Sequence, residues 1–250
     1  AFCGVVGFKP SFGRIPTDGV LTRSESLDHV GLFTQDVAGM GLAASVVCEG
    51  WETDANPAER PTLGVPEGPY LDRASDAGLD AFESQIDRLA DAGYDVERVP
   101  AFDNFAETDR LRGHVASGEV ALVHGDWFDE YEPFYRTAFA ERIRSGQDVT
   151  TKQLTDGRAV LRERREGLQA TMDDEDIDLW VCPAAPGPAP AGLTSTGDSV
   201  MNRPWTDAGL PAVTVPAGTV EGLPVGLQCV ARFGADERLL AWAESVATAL

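Results

Sequence analysis

The chain has 250 residues, with 41 acidic against 20 basic side chains, a formal charge of −21, and 43% apolar residues. This is a globular composition, and a chain of this size buries roughly 70–75% of its unfolded surface. The acidic balance argues against nucleic acid and anionic membrane surfaces as partners, and no apolar run reaches the roughly 18 residues a bilayer span needs.

The first 35 residues are rich in Gly and apolar residues. Val5–Pro10 reads as a short strand ending at Pro10, followed by a loop punctuated at Pro16 and Asp18-Gly19. Asp36 is placed to cap a helix over 37–49, with Gly50 past its end. A polar loop over 51–61 leads to a strand at 62–66. Leu79, Phe82, Ile86 and Leu89 then recur at helical spacing within 76–92, Gly93 ends that helix, and 94–100 reads as a strand. Strand, helix, strand is a βαβ rhythm and points to an α/β fold.

Residues 104–172 are predicted mostly helical. Leu111, Val115, Leu122 and Val123 form the apolar face of a first helix, broken near Pro133. A last helix over 153–172 turns Leu154, Val160, Leu161 and Leu168 inward and its Arg cluster (158–165) to solvent. Ile177–Pro183 reads as a buried strand. The Pro- and Gly-rich stretch 184–198 is long for a loop, and long loops in compact domains tend to carry function. A short helix (202–209), a strand (211–218), a tight connection (219–222), a strand (223–232) and a closing helix (236–250) complete the chain. The last two strands are expected to pair antiparallel.

Only Lys9 and Lys152 are Lys; every other basic residue is Arg. Many carboxylates with so few Lys suggest adaptation to concentrated salt, where ions screen the repulsion between acids. The melting temperature is expected to be higher in molar salt than in dilute buffer; one unmoved or lowered by salt rejects this. Cys3, Cys48, Cys182 and Cys229 lie at no metal-ligand spacing and form no disulfide scaffold, which suits a reducing cytoplasm. The first residue is not Met and no signal peptide is visible, so the chain is read as an internal piece of something longer.

Motifs for nucleophile elbows, phosphate loops, dinucleotide binding and zinc hydrolysis are absent. His114 and His124 are ten residues apart, about 1000° of helix rotation, and so face nearly opposite ways. His124 with Asp126 is a weak metal or acid–base pair, and His29 with Asp28 would need a turn to meet. Ser24 and Ser26 sit in a polar loop without a placed base. Lys9 ends an apolar strand, where desolvation would lower its pKa or an ion pair would hold it.

Two segments carry a more specific signal. The first, 1–39, contains Cys3-Gly4, Gly7-Phe8-Lys9-Pro10, Gly13-Arg14, Gly19, Ser26-Leu27-Asp28, Gly31 and Asp36. The second, 202–243, contains Asn202, Pro204-Trp205-Thr206, Gly209, Pro211-Ala212, Pro216, Gly222-Leu223-Pro224, Gly226-Leu227-Gln228, Asp236 and Leu239-Leu240. In this order they resemble the amidase signature family, the first segment matching the stretch directly after its Gly-Gly-Ser nucleophile.

The resemblance implies one α/β domain, 1–250, with a mixed central sheet covered by helices, its N-terminal part missing and 104–172 a helix-rich insertion. It implies hydrolysis of a carboxylic amide C–N bond by a Ser–cis-Ser–Lys triad without metal or other cofactor. The triad is expected upstream of Ala1, so no catalytic residue is assigned, Lys9 is not the triad Lys, and the chain alone is expected to be inactive. The segments 184–199 and 202–205 match borders of the acyl pocket, which makes Thr194, Ser195, Thr196, Gly197, Asp198 and Trp205 candidate substrate contacts. Cys3 and Phe8 are candidates to pack beneath the nucleophile segment. Residues 15–28 depart from the glutamine-amide transferase variant of the family. The implied partner is a small-molecule amide, and a homodimer is left open. The alternative is a non-catalytic binding protein on a degenerate amidase scaffold. A metal hydrolase built on His124 and Asp126 ranks below both.

Overall fold

The computed structural model describes residues 1–52 and 59–250, so most of the polar loop predicted at 51–61 lies outside the described residues. One sheet organises the chain. Its strands are β1 (Val6–Lys9), β2 (Leu32–Thr34), β3 (Leu63–Glu67), β4 (Val96–Pro100), β5 (Leu179–Pro183), β6 (Ala212–Val220) and β7 (Leu223–Val230). Their order is β2-β1-β6-β7-β5-β3-β4. The pairs β3–β4 and β3–β5 are parallel and the others antiparallel, which gives the expected mixed sheet. The helices are α1 (Val37–Val47), α2 (Asp76–Asp91), α3 (Phe105–Tyr131), α4 (Thr137–Gln147), α5 (Thr151–Asp174), α6 (Arg203–Asp207) and α7 (Asp236–Ala249).

The hairpin of β6 and β7 lies near the centre of the sheet. Its strands run to a two-residue turn, Glu221-Gly222, with φ of 51° and 80°. Positive φ at both positions is the conformation that matches the twist of the flanking strands. Asp36 caps α1 as its position in the sequence suggests, its carboxylate accepting from the Gly39 N–H at 2.7 Å. Ser75 caps α2 in the same way, Oγ accepting from Gly78 N–H at 3.2 Å.

Strand alternation divides the interior in two. Val6, Phe8, Leu179, Val181, Val213, Val215, Leu227 and Cys229 face a core completed by residues of α1, α2 and α7, among them Met40, Phe82, Leu89, Leu239 and Val246. On the other face Trp180, Cys182, Ala212 and Val230 pack with Tyr70, Leu168, Met172 and Trp205. Gly7, Lys9, Thr214 and Gln228 alternate onto that second face.

Three expectations are corrected. Strand β2 falls where no element is predicted; it is three residues long and sits on the edge of the sheet, too short to show a period. Leu122 is 70% exposed, and the inward face of α3 instead carries Val115, Ala116, Glu119, Val120, His124 and Phe128. The Arg cluster of α5 is not turned to solvent throughout. Arg158 pairs with buried Glu119, Arg164 with buried Asp207, and Arg165 Nε donates to the Ala208 carbonyl at 2.5 Å. Arg158, Leu161, Arg165, Leu168 and Met172 recur at spacings of three and four, so cations and apolar residues share one helix face.

Helices α4 and α5 both pack on α3. At Gly146 of α4 the approach is so close that a Cβ would lie 1.9 Å from the Ser117 carbonyl oxygen.

Candidate active site

A cavity of about 470 Å³ opens on the second face of the sheet. Its floor is built by register: Gly7 pairs with Thr214, Lys9 with Ala212, and Thr214 with Gln228. Residues 196–199 with Asn202 and Thr206 form one side, and Gly31 and Phe33 lie on its lining beside β1. The cavity therefore joins the two segments that carry the family resemblance.

The loop 184–199 is tied at both ends. The Pro186 carbonyl accepts from Ser75 N–H at 2.7 Å and from Ser75 Oγ at 2.9 Å, at the start of α2. Gly78 permits this seat, since a Cβ there would lie 2.1 Å from the Pro186 oxygen. At the far end the Asp198 carboxylate accepts from Val200 N–H at 2.9 Å and pairs with Arg203 at 3.3 Å. Asn202 Nδ2 donates to the Ala184 carbonyl at 3.2 Å and closes the loop across its base.

Lys9 Nζ lies at the cavity and donates to the carbonyls of Leu210 (2.5 Å) and Pro10 (3.2 Å). Burial lowers its pKa to about 7; the Asp236 carboxylate pulls it up and Arg165 pushes it down. No ion pair holds it among the described residues, so desolvation decides its charge, and near neutral pH a large share of Lys9 is an uncharged amine. With only two Lys in the chain, ¹⁵N spectra of the side-chain amines resolve this directly. The Lys9 Nζ resonance is expected to titrate near pH 7, and a midpoint above about 9 would contradict it.

Asp236 stands behind this corner, fully buried, accepting from Ser11 N–H at 2.7 Å and Ser11 Oγ at 2.6 Å. The neighbouring imidazole of His29 has its Nδ1 2.8 Å from the Leu27 carbonyl, and burial followed by the charge of Lys9 lowers its pKa to about 4. His29 and Asp28 do not pair. The Asp28 carboxylate accepts instead from the N–H groups of Arg23 (2.5 Å) and Ser24 (3.2 Å).

Of the candidate contacts, Thr196, Gly197 and Asp198 line the cavity. Ser195 lines an adjoining opening that shares Gly197, Asp198 and Ser199. Thr194 is exposed and lines neither. Trp205 lines neither as well. It is fully buried, its Nε1 donating to Tyr70 Oη at 3.0 Å, and the Tyr70 hydroxyl donates to the Met201 carbonyl at 2.7 Å. Phe8 is buried and borders the cavity, whereas Cys3 is exposed.

Ser24 and Ser26 both donate to the buried carboxylate of Glu119, so their hydroxyls are engaged structurally. His124 is buried among Trp127, Tyr135 and Phe139 with Nδ1 3.1 Å from Tyr135 Oη, while Asp126 is exposed.

Asn202, at the start of the border segment 202–205, lines the cavity, whereas Thr214, Gln228 and Thr206 are lining residues that the sequence does not single out. Thr214 and Gln228 are single polar residues inside apolar strand runs, a signal that is present in the sequence. Gln228 is buried and Nε2 donates to the Met201 carbonyl at 3.2 Å.

The amidase family model matches residues 1–240. The chain belongs to the amidase family. It is similar to an indoleacetamide hydrolase of Allorhizobium ampelinum, 30% identical over 98% of this chain and 59% of that protein. It is also similar to a glutamyl-tRNA(Gln) amidotransferase subunit of Methanospirillum hungatei, 25% identical over 96% of this chain and 65% of that protein. A solved amidase superposes with a TM-score of 0.84 at 26% identity, covering 98% of this chain and 58% of that one. A bacterial aryl acylamidase of the amidase signature enzymes gives a TM-score of 0.82 at 16% identity, a likeness of fold alone. The chain thus spans 59–65% of the length of these two curated relatives. Among the described residues no helix is long and apolar enough to cross a membrane.

Proposed function

We propose that this chain is the pocket-forming part of an amidase that hydrolyses a carboxylic amide to the acid plus ammonia or an amine. The observation that carries the reading is the cavity itself. Gly7, Phe8 and Lys9 of the first family segment meet Asn202, Thr206, Ala212, Thr214 and Gln228 of the second around one opening. In this reading 1–250 is one amidase domain with 104–172 as its helix-rich insertion, working in a cytoplasm rich in salt.

The chemistry would follow the Ser–cis-Ser–Lys scheme of the family, with the triad preceding Ala1. A nucleophilic Ser attacks the amide carbon while its proton passes through the bridging Ser to the Lys; that proton goes to the leaving nitrogen as the C–N bond breaks, and water then cleaves the acyl-Ser ester to release the acid and restore the Ser. The residues of this chain bind and orient the acyl group. Thr196, Asp198, Asn202 and Thr214 offer polar contacts around the cavity, and at Gly7 the missing side chain lets the Phe33 ring pack against β1. Phe8 supports the floor from the core side.

The test compares two proteins. One is the 250-residue chain; the other is the product of the reading frame extended upstream of the Ala1 codon. Both are assayed on a panel of primary amides in high salt. The chain alone is expected to show no turnover, and the extended product, carrying a Lys and a Gly-Gly-Ser stretch, is expected to release ammonia. Turnover by the chain alone rejects the placement of the triad. A frame that stops or lacks those residues rejects the enzyme reading.

A further inference from the structure

Lys9 is one of only two lysines in the chain, and the amide scheme above gives it no role. It ends β1 on the sheet face that floors the cavity, and it stands on the lining with Asn202, Thr206, Thr214 and Gln228. Lys9 keeps some exposure, so a small molecule can reach it. Among the described residues its Nζ has two hydrogen-bond partners, the carbonyls of Leu210 (2.5 Å) and Pro10 (3.2 Å). An ammonium has three N–H donors, and one would go unmatched here. An uncharged amine has two, and its lone pair takes the remaining position.

The charged and titratable groups that face this corner come from three elements. Asp236 of α7 is the acid behind the amine, but both its oxygens already accept from Ser11. Arg165 of α5 adds a like charge. His29, in the loop before β2, is held neutral by burial and by Lys9 itself. Burial therefore sets the balance and brings Lys9 down to about 7. A desolvated lysine with a free lone pair is the form that attacks carbonyl carbon. An ordinary lysine, near about 10.4, keeps below ~0.1% of its amine in that form at pH 7. The Phe2, Phe8 and Phe33 rings on the same lining offer apolar surface to whatever the amine captures.

We propose that Lys9 is a covalent site for aldehydes with a compact apolar tail, which it takes as an imine inside the cavity. The Nζ lone pair adds to the aldehyde carbon, both amine hydrogens leave with the carbonyl oxygen as water, and a C=N bond remains. On protonation the imine regains one N–H, enough for the Leu210 carbonyl, and its charge is favoured by Asp236 behind it. An aldehyde held there occupies the space an amide would enter. The site is complete in this chain and is independent of the amidase reading.

The chain is incubated with benzaldehyde and sodium cyanoborohydride, which delivers hydride to the imine carbon and fixes the adduct as a benzylamine. Proteolysis and tandem mass spectrometry then place each benzyl group. Lys152, exposed on α5, is the internal reference. Fragment ions separate Lys9 from the α-amino group of Ala1, which also borders the cavity. At pH 7 Lys9 is expected to be modified at least about tenfold faster than Lys152, well inside the roughly 10³-fold advantage in free amine over an ordinary lysine. The Lys9 yield is expected to rise through pH 7 and to level off above about pH 8. In guanidinium chloride the preference is expected to vanish, because it belongs to the folded corner.

Modification of Lys9 no faster than Lys152, a Lys9 yield that climbs steadily to about pH 10, or a preference that persists in guanidinium chloride overturns the proposal. If the upstream-extended product hydrolyses amides while Lys9 stays unmodified, the aldehyde site fails and the amidase reading stands. If Lys9 is modified as expected while the extended product hydrolyses no amide, the amidase reading fails and the aldehyde site stands.

Discussion

Asp207→Ala is expected to destabilise the chain by about 3–5 kcal/mol, the effect of stripping one partner from a buried ion pair. The Asp207 side chain is 1% exposed and bridges Arg112 Nε (2.9 Å) and an Arg164 guanidinium nitrogen (2.8 Å), and the Arg164 side chain is only 7% exposed. Without the carboxylate, a buried guanidinium keeps its desolvation penalty and loses its compensation. At this chain length 1 kcal/mol moves the melting temperature by roughly 2–4 °C, so a drop near ~10 °C should appear in a melt followed by circular dichroism. The double variant Asp207→Ala, Arg164→Met should lose less than the sum of the two singles, since it removes both charges. A loss under about 1 kcal/mol for Asp207→Ala would contradict the role.

The sign of the pH effect at this site is opposite to that of an ordinary carboxylate. Burial raises the Asp207 pKa, and the two arginines only partly offset it. The folded state therefore binds the proton more readily than the unfolded one. Between the two pKa values stability falls as pH rises, and above the folded value it is level. Asp207 lies on α6, next to Thr206 at the cavity, so its pairing also fixes a wall of the site.

The elements most legible in the sequence are those with a clear period and a clear stop. Helix α2 shows both, with Gly93 after it and four apolar residues at helical spacing. The hairpin of β6 and β7 is legible from two strand-like runs and the short Gly-bounded connection between them, although β6 runs two residues further toward Glu221-Gly222 than expected. What escapes are features set by tertiary contact. The inward Arg158, Arg164 and Arg165 look like a solvated run because their partners, Glu119, Asp207 and the Ala208 carbonyl, lie 39 to 43 residues away. Trp205 sits among the border residues in the chain yet turns into the core, since its indole N–H meets the Tyr70 hydroxyl there. The arginines that line the opening beside Ser195, Arg23, Arg112, Arg142 and Arg203, are scattered over 180 positions, so no local pattern announces their meeting.

Glu119→Gln should show the second large effect, about 3 kcal/mol, with a distinct pH signature. The Glu119 carboxylate is buried on α3 and accepts from the hydroxyls of Ser24 and Ser26, from Ser26 N–H at 2.9 Å, and from Arg158 Nε at 2.7 Å. Burial alone would raise its pKa, but these donors together outweigh it and hold the group below the usual glutamate value. The folded pKa thus lies below the unfolded one. The contribution is fully present above the unfolded value, near about 4.3, and is lost as pH falls through the folded value. The wild-type chain should therefore lose more stability on acidification than the Gln variant does, and the two denaturation curves should converge at low pH. Parallel curves across that range would reject the assignment. The same carboxylate pins residues 24–26 against α3, so the Gln variant should also loosen the loop that precedes β2.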